Sequence, residues 1–478
     1  MIIKRLIHGL VPGHPRVSIA LIAMAALVAL TARVFSWPGF ATHDTLFITQ
    51  EALRGSYTTY HPLLNALLIR GLAVPFDSYA VYTSVQILLC VALFVRGTSL
   101  VAQCVRAPVW VLAGVFVWAL LPSTYLYLGM IWKDVVAAYC IFYLAALVLH
   151  ARNFGRLPGR ADAILFGIAL FLLVGMRHGM SFNLLLVPLL IGPRRLWGAM
   201  RFRFAYVCAL AGLLCVALVG ASPLVKNDEA HLTKLKILAV SQPFLGMVVN
   251  RSGYTTNDLE FDRALAAKVF GPEFREKYRP DYLMNEIVLT DAAELDQAYR
   301  DIVKRSARLC LMNVSQCGSD RLQMMLATMQ PSTDFGGMKF YDLGLMRDCP
   351  ATFGMDPDKC EVLTRFEVDE KSSAITDLQR HAVEKLVDRR GLAHNLVFWN
   401  LIPFFVLLLG TMLILTPRNA IWMASLLVLM QIPLQLATSM ANDFRYYYFL
   451  LPFGLVLASL LLGRMIHGRG FMAPQQDV

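Results

Sequence analysis

The sequence predicts an all-α polytopic membrane protein, with about ten transmembrane helices and one mainly helical extracytoplasmic domain. Composition is the first reason: the 478 residues are 57% hydrophobic and only 16% charged, whereas soluble domains carry about 25% charged residues. The second is length, because several apolar runs reach the roughly 17–25 residues that cross a hydrocarbon core. Lipid offers no partner to a backbone amide, so helices are the expected spanning elements. The net charge of +11 would suit a nucleic acid partner. Its distribution argues against one, since the arginines sit in short loops between spans, where orientation is decided. No nucleic acid is expected.

The first apolar run, Val17 to Val34, follows Lys4, Arg5 and Arg16 like the charged start of a signal peptide. Its cleavage pattern is poor, so it reads as a retained anchor. The spans fall at about 17–35, 79–95, 107–122, 134–149, 162–176, 180–193, 204–222, 395–416, 419–438 and 446–463. The stretch "HPLLNALLIRGLAVPF" (61–76) is apolar but short and carries Arg70. It reads as an interfacial or re-entrant helix inside an external loop, 36–78.

The positive-inside rule tests this count. The expected cytoplasmic pieces hold Lys4, Arg5, Arg16; Arg96 and Arg106; Arg152, Arg156 and Arg160; Arg194, Arg195, Arg201 and Arg203; Arg418; and Arg464 and Arg469. The opposite short loops are poor in Lys and Arg. Making 61–76 a full span would reverse that bias for most of the chain. The expected organisation is therefore an N-terminal transmembrane module, 1–222, an extracytoplasmic mainly helical domain, 223–393, and a C-terminal transmembrane module with a cytoplasmic tail, 394–478. Both termini are expected in the cytoplasm.

The polar block from Lys226 to Arg390 has helical patterning, as in "DAAELDQAYRDIVKRSARL", and Gly and Pro interrupt it. Four of nine cysteines lie in it: Cys310, Cys317, Cys349 and Cys360. In an oxidising compartment they favour two disulfides, expected between neighbours, although three pairings are open. A zinc site is the competing reading, but the spacings are not the two-residue ligand pairs zinc prefers.

Four loops carry ionisable residues to one membrane face: Asp44 after the first span, Lys133 and Asp134 in "GMIWKDVV", Arg177 and His178 in "GMRHGM", and Asp443 and Arg445 in "ANDFRYYY". Each has a plain alternative. Asp44 can cap a short helix. Lys133 and Asp134 can be interfacial anchors or a local ion pair, Arg177 can snorkel to headgroups, and Arg445 can belong to an aromatic belt. His43 and His61 with Asp44 could hold a metal, but isolated histidines are more often polar surface residues. Gathered on one face, the group suits a different chemistry. A carboxylate can deprotonate an attacking hydroxyl, while Lys and Arg bind a departing phosphate. That combination fits glycosyl transfer from a lipid-linked phosphosugar better than two-carboxylate hydrolysis, which leaves the cations idle.

The acid after the first span followed by "YHPLLNALLIRG" resembles the first external loop of the GT-C superfamily of membrane glycosyltransferases. "IWKD", "RHG" and "DFRYYYFLLP" resemble bacterial polytopic members that decorate surface glycans. The resemblance covers residues 17–222 and 395–463 and implies a GT-C-like bundle in the bacterial inner membrane. It implies a polyprenyl-phosphate sugar donor, a glycan, lipid or protein acceptor, and surrounding membrane lipid as partners. Asp44 matches the family's base. Lys133, Arg177 and Arg445 are candidates for the phosphate, with Asp134 and His178 beside them, and His61 and Pro62 shape the loop. The loop has His-Asp where several branches have paired acids, which argues against a metal-dependent version; no metal or cofactor is expected. The large external block lies between spans seven and eight rather than at the C-terminus. Its first helix would return towards the membrane and bring Gln242 to the site. Two other functions remain open: an O-antigen polymerase or ligase type enzyme, with its essential Arg or His in the external block, and a transporter, with paired charges deep within spans.

Overall fold

The computed structural model describes residues 10–41, 43–58, 61–225, 229–250, 256–278, 287–329, 365–366, 400–438 and 447–468. The described chain is helical, with isolated bridges Phe40–Met130 and Tyr57–Val225 and no strand. It divides into two compact units: Met1–Val225 with Gly336–Gln431 and Tyr448–Val478, and Lys226–Phe335 with Ile432–Tyr447.

The first unit begins with α1 (Pro15–Phe35), α2 (His43–Arg54), α3 (Leu63–Leu72), α4 (Ala80–Gln103), α5 (Val109–Leu120) and α6 (Pro122–Gly129). There follow α7 (Lys133–Phe154), α8 (Arg160–Met176), α9 (Asn183–Ile191), α10 (Pro193–Gly198) and α11 (Met200–Gly220). Helix α7 is the axis of this unit. Its apolar window is wholly buried, with α4, α8 and, from later in the chain, the helix Ala420–Leu429 packed against it. Close crossings rely on small residues, as expected where lipid removes the hydrophobic drive between helices. A Cβ on Gly114 of α5 would stand 2.8 Å from the Leu455 carbonyl oxygen. Leu121, extended before Pro122, breaks α5 from α6 by 67°.

Two polar features differ from the loop-and-span expectation. Arg96, expected in a cytoplasmic loop, lies inside α4, because the helix continues to Gln103. There its Nε meets Asp162 Oδ1 of α8 at 2.6 Å, and the Tyr143 hydroxyl donates to the Asp162 carbonyl. Tyr448, one of the tyrosines that would form an aromatic belt under the plain alternative for Arg445, is instead fully buried and stacks on Tyr127 at 4.3 Å.

The second unit holds α12 (Glu229–Asn250), α13 (Thr256–Phe270), α14 (Phe274–Lys277), α15 (Ala292–Met312) and α16 (Val314–Met329). Helix α15 starts where Asp291 accepts the Glu294 amide at 2.9 Å. It buries Leu295, Ala298, Ile302 and Leu309 at helical spacing against Ile237, Phe244 and Val248 of α12. Arg305 ties it to Asp262 of α13 at 2.6 Å. Cys310 and Cys317 form a disulfide across the α15–α16 turn, with Cα atoms 5.2 Å apart; Cys349 and Cys360 lie outside the described residues. Helix α12 bends by 49° after Leu238. Pro243 provides the cause, since its ring displaces the carbonyl four residues earlier.

The chain closes with α17 (Ile402–Ile414), α18 (Ala420–Leu429), α19 (Gln431–Thr438) and α20 (Leu450–His467). Among the described residues, five helices (α1, α4, α7, α11, α20) are long and apolar enough to cross a membrane. The number rises to seven if each bent pair, α5–α6 and the two halves of α12, is one span. The other expected spans are shorter helices: α8 has 17 residues and α9 has nine.

Gly246 of α12 gives a stability prediction. A Cβ there would stand 2.3 Å from Asp320 Oδ2 and 2.6 Å from the Tyr278 hydroxyl. Asp320 is 1% exposed and leaves little room to retreat. Gly246→Ala should destabilise the second unit by ~1–3 kcal/mol, the usual cost of overpacking. Thermal unfolding would measure it, and an unchanged melting temperature would mean that Asp320 yields freely.

Candidate active site

The loop between α1 and α4 is held by main-chain hydrogen bonds to the segment before α7. The Phe40 amide donates to Gly129 O at 2.9 Å, and the Ile131 amide donates to Phe40 O at 3.0 Å. From the other side, Gln86 Nε2 of α4 donates to Leu128 O at 3.0 Å and to Met130 O at 2.6 Å. Helix α2 follows directly. Its inner side carries Thr45, Ile48, Thr49 and Ala52, all buried. The Thr45 hydroxyl donates to Ile131 O at 3.0 Å. The Thr49 hydroxyl donates to Thr45 O at 2.7 Å and accepts from the Tyr79 hydroxyl at 2.5 Å.

The neighbouring face of α2 presents Asp44, Phe47 and Glu51 at positions i, i+3 and i+7, one above another. The His61 ring stands 6.4 Å from that of Phe47, so it lies beside the same face. His61 is 3% exposed. Asp44 sits in the first turn of α2 and is half-buried, a position that also suits the helix dipole.

Lys133 and Asp134 open α7, two and three residues beyond Ile131. Asp134 is ion-paired with Arg177, whose Nε lies 2.8 Å from Asp134 Oδ1; the two side chains are 2% and 14% exposed. Arg177 stands at the end of α8, and its amide closes that helix on Leu173 O. Asp134 thus pairs with a residue 43 positions away in sequence.

Lys133 acts on Glu51. Burial pushes the Glu51 carboxyl up from an ordinary 4.5 to about 6, while hydrogen bonds from Thr58 and the charge of Lys133 pull the other way. Oε1 accepts from the Thr58 hydroxyl. Oε2 is buried and makes no hydrogen bond among the described residues. Glu51 is the site residue the sequence reading missed. The available signal was its spacing of seven from Asp44, which places two acids on one helical face.

Within the first unit, then, Arg177 pairs with Asp134, Lys133 acts on Glu51, His61 stands beside Phe47, and Asp44 shares a face of α2 with Phe47 and Glu51. His178 forms the first residue of a short turn after Arg177, and its side chain lies outside the described residues. Arg445 also lies outside them. Gln242 is buried in α12 of the second unit. That unit has a buried polar group of its own, Asp320 and Arg321, where burial raises the Asp320 carboxyl and lowers the Arg321 guanidinium. Among the described residues, no three His, Cys, Asp or Glu side chains gather as metal ligands. Comparison with protein families, with curated proteins and with solved structures gives no match to this chain.

Glu51 makes the site pH-dependent. Its folded value lies above the unfolded one, so between about 4.5 and 6 the folded protein holds the extra proton. Stability from this group is therefore present at low pH and falls as pH rises through about 6. Glu51→Gln should melt higher than the parent above that pH and lose the decline across the window. A parallel decline in both proteins would assign the pH dependence to another group.

Proposed function

We propose that the protein is an integral-membrane inverting glycosyltransferase. It moves a sugar from a polyprenyl-phosphate carrier to an acceptor on the extracytoplasmic face of a bacterial inner membrane. One observation carries the reading: the helix that bears Asp44 and Glu51, with His61 beside its Phe47, is tied by the Thr45 hydroxyl to Ile131 O, just before the helix bearing Lys133 and the Asp134–Arg177 pair. The half-buried Asp44 is the base that takes the acceptor proton. Lys133, with Arg177 oriented by Asp134, receives the negative charge that develops on the departing lipid phosphate. Glu51, whose free oxygen is buried, acts on Lys133 rather than on substrate, as a positioning residue.

The test is transfer by purified protein in proteoliposomes, with polyprenyl-phosphate sugars as donors. Asp44→Asn should lower turnover by at least ~10²-fold while leaving donor binding intact. Full turnover by that variant would defeat the assignment. The polymerase or ligase reading draws its support from Arg321, a largely buried arginine of the second unit. Under that reading Arg321→Ala, and not Asp44→Asn, would remove activity.

A further inference from the structure

Away from the Asp44 end, α8 and α11 enclose a groove of about 810 Å³. The two helices run parallel: Gly167 faces Ala205, and further along both, Gly212 faces Phe171. Their N-terminal ends, with Arg160 and Arg201, therefore lie together at one mouth of the groove. Both arginines are exposed, and among the described residues neither has an ion pair. Asp162, the acid closest in sequence to this mouth, is turned away into its contact with Arg96. The mouth is positive, and two helix N-termini add to it. Beyond it the groove walls are apolar. They continue to Phe171 on α8 and Gly212 on α11, a run of ~16–18 Å at 1.5 Å per residue. That is close to the ~15 Å depth of one leaflet, half of the ~30 Å hydrocarbon core.

We infer that this groove is a binding site for one glycerophospholipid with an anionic headgroup, drawn from the leaflet on the arginine-bearing side. The phosphate rests between Arg160 and Arg201, where guanidinium groups make charge-assisted hydrogen bonds, and an acyl chain lies along the channel to Phe171. Three features favour a lipid over a free anion: the apolar walls, the leaflet-length run, and the confinement of charge to one end. The inference is independent of the proposed transfer reaction.

Purified full-length protein in detergent, given phosphatidylglycerol or phosphatidylcholine and read by native mass spectrometry, provides the test. Retention of phosphatidylglycerol should exceed that of phosphatidylcholine by about 30-fold, or ~2 kcal/mol for two basic residues at a headgroup. Arg160→Ala with Arg201→Ala should bring the ratio near one, and the corresponding Lys pair should restore most of it. Cys208 lines the groove, whereas Cys215, also exposed, lies beyond it on the same helix. Phosphatidylglycerol should therefore slow maleimide labelling of Cys208 and not of Cys215. Equal retention of the two lipids in the parent would overturn the inference, as would an unchanged preference in the double Ala variant. Displacement of the lipid by millimolar inorganic phosphate would also overturn it, by showing an anion site without a lipid.

Discussion

Asp44→Asn should lower the turnover number for sugar transfer by ~10²–10⁴-fold, the range contributed by a positioned general base. The Michaelis constant for the donor should change little, because the amide keeps the shape and the first-turn position of the carboxylate. Glu51→Gln should behave differently. Its effect reaches substrate through Lys133, so the variant should retain measurable turnover. The rate of the parent should rise with pH through about 6, where Glu51 ionises, and the Gln variant should lack that step. Lys133→Ala should raise the donor Michaelis constant as well as lower turnover. If Glu51→Gln is the dead variant and Asp44→Asn the active one, the two acids exchange roles. If both are fully active, the α2 face is not catalytic.

The largest stability effect is expected at the other end of the first unit. Arg96 reaches Asp162 with two short contacts, Nε to Oδ1 and Nη2 to Oδ2, each 2.6 Å, from a site where Asp162 is 1% exposed. Removing one partner leaves a charge among apolar helices without compensation. Asp162→Ala or Arg96→Ala alone should therefore cost ~3–5 kcal/mol, whereas Arg96→Met combined with Asp162→Leu should recover much of it. Thermal unfolding in detergent of the two single variants and the pair forms the cycle. Single-variant losses below ~1 kcal/mol would show that water reaches the pair and that it is not structural.

These two sites also mark what hydropathy and charge reveal. The apolar helices lie close to their sequence positions, since each apolar run must find a packed or lipid environment wherever it falls. The short helix α3 was legible for the same reason: "HPLLNALLIRGL" is apolar for one helical stretch and then stops at Arg70 and Gly71. Arg96 was misread as a loop residue because a hydropathy window ends a span at its first charge. Only the distant Asp162 allows the helix to carry that charge onward. Asp134 has an adjacent lysine in sequence, but its pairing with Arg177, brought in by the packing of α8 on α7, could not be read locally. Glu51 reads as an ordinary polar residue of a short amphipathic helix. Its surroundings include Thr58 and the distant Lys133, which no local pattern records. Nor does composition separate the described part of the second unit from residues 365–366. Those dock in the first unit, where Phe366 stacks on Tyr79 at 4.9 Å and Arg365 pairs with Asp77 at 2.7 Å.

The bridge between Phe40 and Met130 has a mechanical meaning. It joins the segment before α2 to the segment before α7 by amide hydrogen bonds, with Gln86 clamping the far edge. The segment leading to Asp44 and the segment leading to Lys133 are therefore tied to each other, and under the proposed reaction this holds before any substrate arrives. Dipoles fixed in that way need no reorganisation as charge moves during a reaction. If the substrate is the lipid-linked sugar proposed above, the element that opens to admit it is other than this clamp, and a flexible linkage inserted between Gly39 and Thr45 should slow turnover more than it weakens binding.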